Sequence, residues 1–256
     1  MESPLTAGLA TIIMAAGKGT RMKSDLAKVL HPLNGRPMIH YVIDTARALE
    51  ADPVVVIVGH QKERVMDELR GLSVRFAVQE PQLGTGHAVQ CALPELADLT
   101  GAVLVLSGDV PMIQPQTLRR LVNHHFSSGA AATVMTARTD HPRGYGRILR
   151  QTSGHLEAIV EERDATEEIR RITEINSGIY VFHIQDLRQV LPRLTTDNEQ
   201  KEFYLTDAAR LLAGEGRVVA AWEGDFGEIM GINTVEELEA AGRRLKTREP
   251  RLGGEV

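Results

Sequence analysis

The stretch Leu9–Leu30, LATIIMAAGKGTRMKSDLAKVL, decides how the rest of the chain is read. Leu9 to Ala15 is a short apolar run, which predicts a buried strand. Ala16, Gly17, Lys18, Gly19 and Thr20 follow, small or flexible residues where that strand would feed into a loop. Two glycines let the backbone approach a ligand with no Cβ in the way, and successive N–H groups can then cradle phosphate oxygens. Arg21 adds a forked cation and Lys28 a point charge within reach of the same anions. The same residues also suit a plain strand and turn with surface cations. Two other phosphate loops do not fit. A P-loop needs glycine where Ile12 stands, and Ser or Thr where Gly19 stands. A dinucleotide fingerprint needs glycine in place of Met22. The pattern that remains suits a nucleoside triphosphate better than a dinucleotide.

Outward from this stretch, apolar runs alternate with amphipathic ones. Strands are predicted at Val54–Val58, Val74–Val78, Ala102–Leu106 and Ala131–Ala137, with helices at Pro37–Glu50, Lys62–Arg70, Gly86–Leu96 and Pro115–Phe126. Val- and Ile-rich strands without polar alternation, separated by helices, imply a parallel sheet covered on both faces. The fold class is therefore a doubly wound α/β domain. The second half changes style. Tyr145–Arg150 and Leu156–Glu161, with Ser153-Gly154 between them, predict a β-hairpin. A strand at Ile175–Phe182, helices at Ile184–Leu191 and Phe203–Leu212, a strand at Val218–Trp222 and a last helix at Val235–Leu245 follow. This half reads as a mixed β/α extension over the mouth of the sheet. The charged, Gly-rich stretch from Lys246 is expected to fray.

Composition narrows the function classes. The 256 residues are ample for a core, and a net charge of −5 gives no general attraction to nucleic acid. No apolar run approaches the roughly 20 residues that span a bilayer, and MESPLTAG lacks the pattern of a secretion signal. Cys91 is the single cysteine, which excludes an internal disulfide and suits a reducing cytoplasm. The nine histidines are scattered, with adjacent His124 and His125 pointing apart on a helix, so a structural zinc site is not expected.

Ligands of open parallel sheets lie beyond the carboxyl ends of the strands, and two further motifs fall there. In Gln79-Glu80-Pro81-Gln82-Leu83-Gly84-Thr85-Gly86-His87, the glycines leave backbone groups open and Gln79 offers an amide donor and acceptor. A uracil edge, an N–H between two carbonyls, matches such a set; an ordinary glycine-rich turn before a helix matches it equally. In Leu106-Ser107-Gly108-Asp109-Val110-Pro111, a carboxylate at a strand end is placed to hold Mg²⁺ on phosphates, or simply to sit in a turn. Asn233 can supply a second oxygen, or cap the last helix, although Thr234 can take that capping role. Gly144-Tyr145-Gly146-Arg147, Glu161 and Asn176-Ser177-Gly178 offer polar groups suited to sugar hydroxyls or an acetamido group, and as readily to a plain surface.

The ordered series AAGKGTRM, the lysine of AKVL, QLGTGHA, SGDVP, GYGRI, EAIVEERDAT, EINSGIY and GIN resembles the N-terminal uridylyltransferase domain of bacterial bifunctional N-acetylglucosamine-1-phosphate uridyltransferase, within the sugar nucleotidyltransferases. The resemblance runs from about Leu9 to about Leu245. It implies a Rossmann-like nucleotidyltransferase fold, a single domain over residues 1–245 with a nucleotide-binding half at 9–137, a sugar-binding half at 138–233 and a closing helix at 234–245, ahead of a flexible tail at 246–256. It also implies roles. Met14, Ala15, Ala16 and Gly17 would contact the nucleotide, and Arg21 and Lys28 the phosphates. Gln79, Gly84 and Thr85 would read uracil. Ser107, Gly108, Gly146, Glu161 and Asn176 would face the amino-sugar, and Asp109 and Asn233 would hold Mg²⁺.

The implied reaction is uridylyl transfer from UTP to N-acetylglucosamine 1-phosphate, with Arg21, Lys28 and Asp109 as catalytic residues in a cytoplasmic enzyme. Another sugar 1-phosphate, dTTP, or a non-catalytic UDP-sugar module are the alternatives. Two positions depart from the family pattern. Ser107 stands where many members carry an aromatic Tyr, and Ala27 replaces a proline, which is expected to loosen the loop carrying Lys28. The family's β-helix domain does not follow, so acetyltransferase activity is not expected, and a monomer or weak oligomer is.

Overall fold

A computed structural model describes residues 8–22 and 24–248. Strand β1 (Leu9–Ala15) is an interior strand of the main sheet, all but Met14 buried, as its unbroken apolar run requires. A small hairpin of β2 (Pro32–Leu33) and β3 (Arg36–Pro37) follows, turning through the left-handed Asn34 and Gly35, and leads into α1 (Met38–Ala48). The units β4 (Val54–Val58), α2 (Lys62–Glu68), β5 (Arg75–Val78), α3 (Thr85–Ala92), β6 (Ala102–Ser107), α4 (Pro115–Ser128) and β7 (Ala132–Arg138) alternate as predicted, with end shifts of a few residues. Beyond them come the hairpin β8 (Arg147–Arg150) and β9 (Leu156–Val160), the short α5 (Glu167–Arg170), the long β10 (Glu174–His183) and α6 (Ile184–Val190). The chain continues through α7 (Thr206–Gly214), β11 (Val219–Glu223), α8 (Phe226–Ile229) and α9 (Val235–Arg248).

The strand order is β11-β7-β10-β6-β1-β4-β5, with β8 and β9 attached beside β10. Every strand on that path runs the same way except β10, which pairs antiparallel with both β6 and β7. Alternate side chains of each central strand enter opposite cores. Ile13, Val56 and Leu104 pack with α1 and α4 residues such as Val42, Ile43, Leu118 and Leu121. Ile12, Val55 and Val103 pack on the other face with Val89, Leu187 and Leu212. The sheet is thus doubly wound and mostly parallel, the class expected from the sequence.

Chain direction changes side where β1 is flanked by β4 and β6, and their carboxyl ends leave a crevice there. α9 packs through Leu238, Ala241 and Leu245 onto Leu33, Met38, Met112 and Ile232, which ties the chain's last described helix to the hairpin that follows Lys28.

Two predicted features differ, and the short elements β2, β3, α5 and α8 were not predicted. Residues 203–205 lie outside the helix, in an irregular segment and turn that leads into it, where the backbone bonds to the glycine-rich loop: Phe203 N donates to Leu83 O at 2.8 Å and Gly86 N to Phe203 O at 2.7 Å. α9 runs through Arg248 rather than ending at Leu245, so Lys246 is helical; the rest of the expected tail, 249–256, lies outside the described residues. The β2–β3 hairpin was not read at all, since strands of two residues carry no period. His125 is buried with Nδ1 3.0 Å from Thr133 Oγ1, and burial, with His183 and His124 nearby, lowers its pKa to about 4. Among the described residues, no helix is long and apolar enough to cross a membrane.

Candidate active site

The crevice is a cleft of about 380 Å³ floored by the loop after β1. Its wall gathers Met14, Ala15, Ala16, Gly17, Arg21, Lys28, Gln79, Gly84, Thr85, Ser107, Asp109 and Asn233, all of them singled out from the sequence. Gly17 opens on free space, where a side chain would meet nothing within 4 Å. Gly19 instead adopts φ +60°, and an added Cβ would lie 2.6 Å from Lys28 Cβ, so the loop lies directly on the lysine stem. The loop is braced from β4 and from the glycine-rich loop: His60 N and Gln82 Nε2 both donate to Ala16 O, each at 3.1 Å.

Three residues distant in sequence meet on one side of the cleft. Lys28 Nζ forms an ion pair with Asp109 Oδ2 and donates to Asn233 Oδ1 at 2.7 Å. Arg21 Nη2 donates to the same Asn233 oxygen at 2.7 Å, while Ser107 Oγ donates to Asp109 Oδ1 at 2.6 Å. Asn233 is free to face the cleft because its neighbour caps α9. Glu237 N donates to Thr234 Oγ1 at 3.2 Å, and Glu237 Oε2 accepts from Asn233 N at 2.6 Å and Thr234 N at 3.2 Å, a capping box. Ile232 N donates to Asp109 O at 2.9 Å, which docks this segment on the turn after β6.

On the opposite wall Gln79 is buried, its Nε2 donating to Gly84 O at 2.8 Å. Gly84 lies at φ +107°, and any side chain there would strike Phe203 O at 2.7 Å. Thr85 Oγ1 accepts from Leu205 N at 3.0 Å, so its hydroxyl anchors the turn that enters α7. Gly108 lies beneath the cleft rather than in its wall: its N donates to Met14 O at 2.9 Å, and a Cβ would crowd Val29 at 3.0 Å.

Gly146, Glu161 and Asn176 form a second group, brought together by β8, β9 and β10. A Cβ on Gly146 would lie 3.4 Å from Asn176 Cβ and 3.5 Å from Glu161 Oε2. A bulge in β10 at Asn176, where Gly178 takes φ +77°, lets Asn176 Nδ2 donate to the buried Tyr180 hydroxyl at 2.7 Å. Beneath both loops the buried Arg147 guanidinium donates to Tyr145 O and, at 2.8 Å, to Glu162 Oε2, which also accepts from Gly144 N at 3.1 Å.

Burial holds the Glu161 carboxyl above its ordinary value near 4.5, against a hydrogen bond from Thr206; Asp164 and Asp207 push the same way as burial. A raised folded pKa means that ionisation costs stability, nothing below the ordinary value and the full amount above the folded one. Glu161→Gln is therefore expected to match the parent Tm near pH 4 and to exceed it increasingly as the pH rises towards 7. Calorimetry across that range checks this, and a pH-independent gap contradicts it.

Sequence reasoning passed over Gln82 and Glu202, both in the cleft wall. Gln82 stood inside the quoted glycine-rich motif; Glu202 carried no local signal, since only the pairing of 203–205 with the loop brings it there.

A family model described as the MobA-like NTP transferase domain matches residues 11–204, most of the chain and the whole phosphate-loop side of this cleft. The chain belongs to that family. Among curated relatives of this nucleotidyltransferase, the bifunctional protein GlmU of Geotalea uraniireducens is 51% identical over 94% of the chain, and that of Geobacillus thermodenitrificans is 45% identical over 93%. The chain spans about half the length of these relatives, 53% and 52% respectively. Two solved structures share the fold. A UDP-glucose pyrophosphorylase complexed with UDP-glucose has a TM-score of 0.74 at 17% identity, covering 94% of this chain and 100% of its own. A putative glucose-1-phosphate thymidylyltransferase from Bacillus anthracis has a TM-score of 0.73 at 18% identity, covering 96% and 98%.

Proposed function

We propose that this nucleotidyltransferase joins UTP and N-acetylglucosamine 1-phosphate, giving UDP-N-acetylglucosamine and pyrophosphate. The observation that carries this reading is the meeting of Arg21, Lys28, Asp109 and Asn233 in one cleft with the glycine loop and Gln79. An oxygen of the sugar phosphate attacks the α-phosphorus in line. The new P–O bond forms as the bond from the α-phosphorus to the bridging oxygen breaks, and that electron pair leaves on pyrophosphate. The nucleophile needs no general base, because a phosphate monoester with a second pKa of about 6 is largely ionised at neutral pH. What the protein must supply is position and positive charge.

Backbone N–H groups at Ala16 and Gly17 line the triphosphate path, Arg21 offsets charge growing on the leaving pyrophosphate, and Lys28 holds the attacking phosphate. Gln79 and the Gly84 loop take the uracil edge. Gly146, Glu161 and Asn176 take the amino-sugar, with Ser107 setting the Asp109 carboxylate beside it. The residues fit Mg²⁺: a carboxylate oxygen and an amide oxygen already converge on one cation, the Lys28 ammonium, and Mg²⁺ commonly takes only one or two protein oxygens plus phosphates and water. Bound at Asp109 and Asn233, it would supply charge neutralisation between the two phosphates.

Pyrophosphate release measured over UTP and dTTP against N-acetylglucosamine 1-phosphate and glucose 1-phosphate tests the assignment. Fastest release from UTP with N-acetylglucosamine 1-phosphate is expected. Preference for another pair moves the substrate assignment, and UDP-sugar binding without release from any pair makes the chain a binding module.

A further inference from the structure

The β4–α2 loop reaches the lysine-bearing arm of the cleft through one side chain. Ala27 N donates to Gln61 Oε1 at 3.0 Å, and Gln61 Nε2 donates to Asp25 O, so both ends of a single amide grip one turn. Besides this amide, Arg64 Nη1 donates more distantly to Asp25 O at 3.4 Å, Leu26 N donates to Ser24 Oγ at 3.1 Å within the turn itself, and Leu26 and Ala27 pack on the core; among the described residues Gln61 alone bonds the Ala27 N–H. The residue the turn delivers is Lys28, which follows Ala27 directly and begins a short 3-10 turn. Gln61 does not line the cleft, and its neighbour His60 bonds the phosphate loop at Ala16 O, so one loop braces both arms of the site.

The backbone under this clamp is unusual. Gln61 lies in the left-handed region, φ 53° and ψ 38°, where a residue with a Cβ is disfavoured and glycine is at ease. An outlier of this kind persists where the surroundings over-determine it, and here they do so through the amide. Ala27 lies at φ −53°, ψ 134°, a conformation that proline also adopts, but proline would lack the N–H that Gln61 accepts from.

We propose that Gln61 is a positioning residue that sets where Lys28 enters the cleft, doing with a side-chain amide what a rigid ring at position 27 would do covalently. The proposal rests on the assignment of Lys28 to phosphate binding. The turn is therefore held, although the sequence suggested that Ala27 would leave it loose.

Gln61→Gly removes the amide and at the same time relieves the left-handed backbone, so Tm is expected to stay near the parent value. Hydrogen exchange of the Ala27 amide is expected to accelerate at least tenfold, and kcat/KM for the sugar phosphate to fall about tenfold or more, in line with the cost of small misplacements. Adding Ala27→Pro to Gln61→Gly is expected to recover most of that loss. Unchanged Ala27 exchange in Gln61→Gly overturns the clamp, and so does a loss of kcat/KM that the proline does not recover. The exchange measurement needs no substrate. A parent protein that releases no pyrophosphate therefore sinks the proposed reaction, while the Ala27 amide still judges the clamp.

Discussion

Arg21→Ala is expected to lower kcat by a hundredfold or more while Tm stays within a degree or two (roughly the scale of a neutral surface change). The two halves of that expectation come from the same geometry. Arg21 is exposed, and its described bond goes to Asn233 Oδ1, an oxygen that Lys28 also donates to, so the fold does not depend on it. In the proposed reaction its forked cation would stand where charge develops only as pyrophosphate departs. Loss of one such donor costs on the order of 2.7–4 kcal/mol of transition-state stabilisation, which is the source of the hundredfold. Steady-state pyrophosphate release checks it. Turnover close to the parent rate would remove Arg21 from the chemistry.

Asp109→Asn carries the second large effect. The substitution keeps shape but removes the charge that pairs with Lys28 and accepts from Ser107. Two consequences follow. The Lys28 ammonium loses its counter-charge, and the proposed metal loses its one anionic ligand. Loss of outer-shell partners alone costs metal affinity about 10–100-fold, so the Mg²⁺ concentration for half-maximal activity is expected to rise by at least that much. Turnover at saturating metal is expected to fall by roughly a hundredfold. Activity titrated with Mg²⁺ at fixed UTP reads both. An unchanged titration curve would show that Asp109 is not a metal ligand.

Lys28 shows why the two substitutions are not additive. It touches Asp109 and Asn233 at once, and Arg21 shares Asn233. Residues in one network couple, so the double variant is expected to lose less than the sum of the single losses.

Much of this was readable from local sequence. The buried run Leu9–Ala15 followed by small residues, the β-branched run Val54–Val58 and the helices between predicted strands carried the class of the fold. Burial on both faces removes polar alternation, and only parallel sheets impose that so regularly. Turn glycines with positive φ, such as Gly71, Gly84 and Gly154, fell where the sequence placed breaks.

Other features left no local trace. Nothing in Glu174–His183 distinguishes a strand running against its neighbours from one running with them, since side-chain period and burial are the same in both. Residues 203–205 read as the first turn of the helix that follows, yet they lie outside it, with Leu83, Thr85 and Gly86 bonded to their backbone groups. The charged stretch after Leu245 reads as a tail, yet lysine and arginine are good helix formers and α9 continues through it.

By itself the amino-acid order determined which segments become strands and helices, and where the phosphate loop begins, because burial periodicity and turn chemistry act over a few residues. Tertiary structure alone decided that Lys28, Asp109 and Asn233 would share one point, that Gln61 would grip Ala27, and that Gly146 would meet Glu161 and Asn176. Those meetings depend on strand order and on the insertion of β10, which arise from packing between residues far apart in the chain, and no local pattern encodes them.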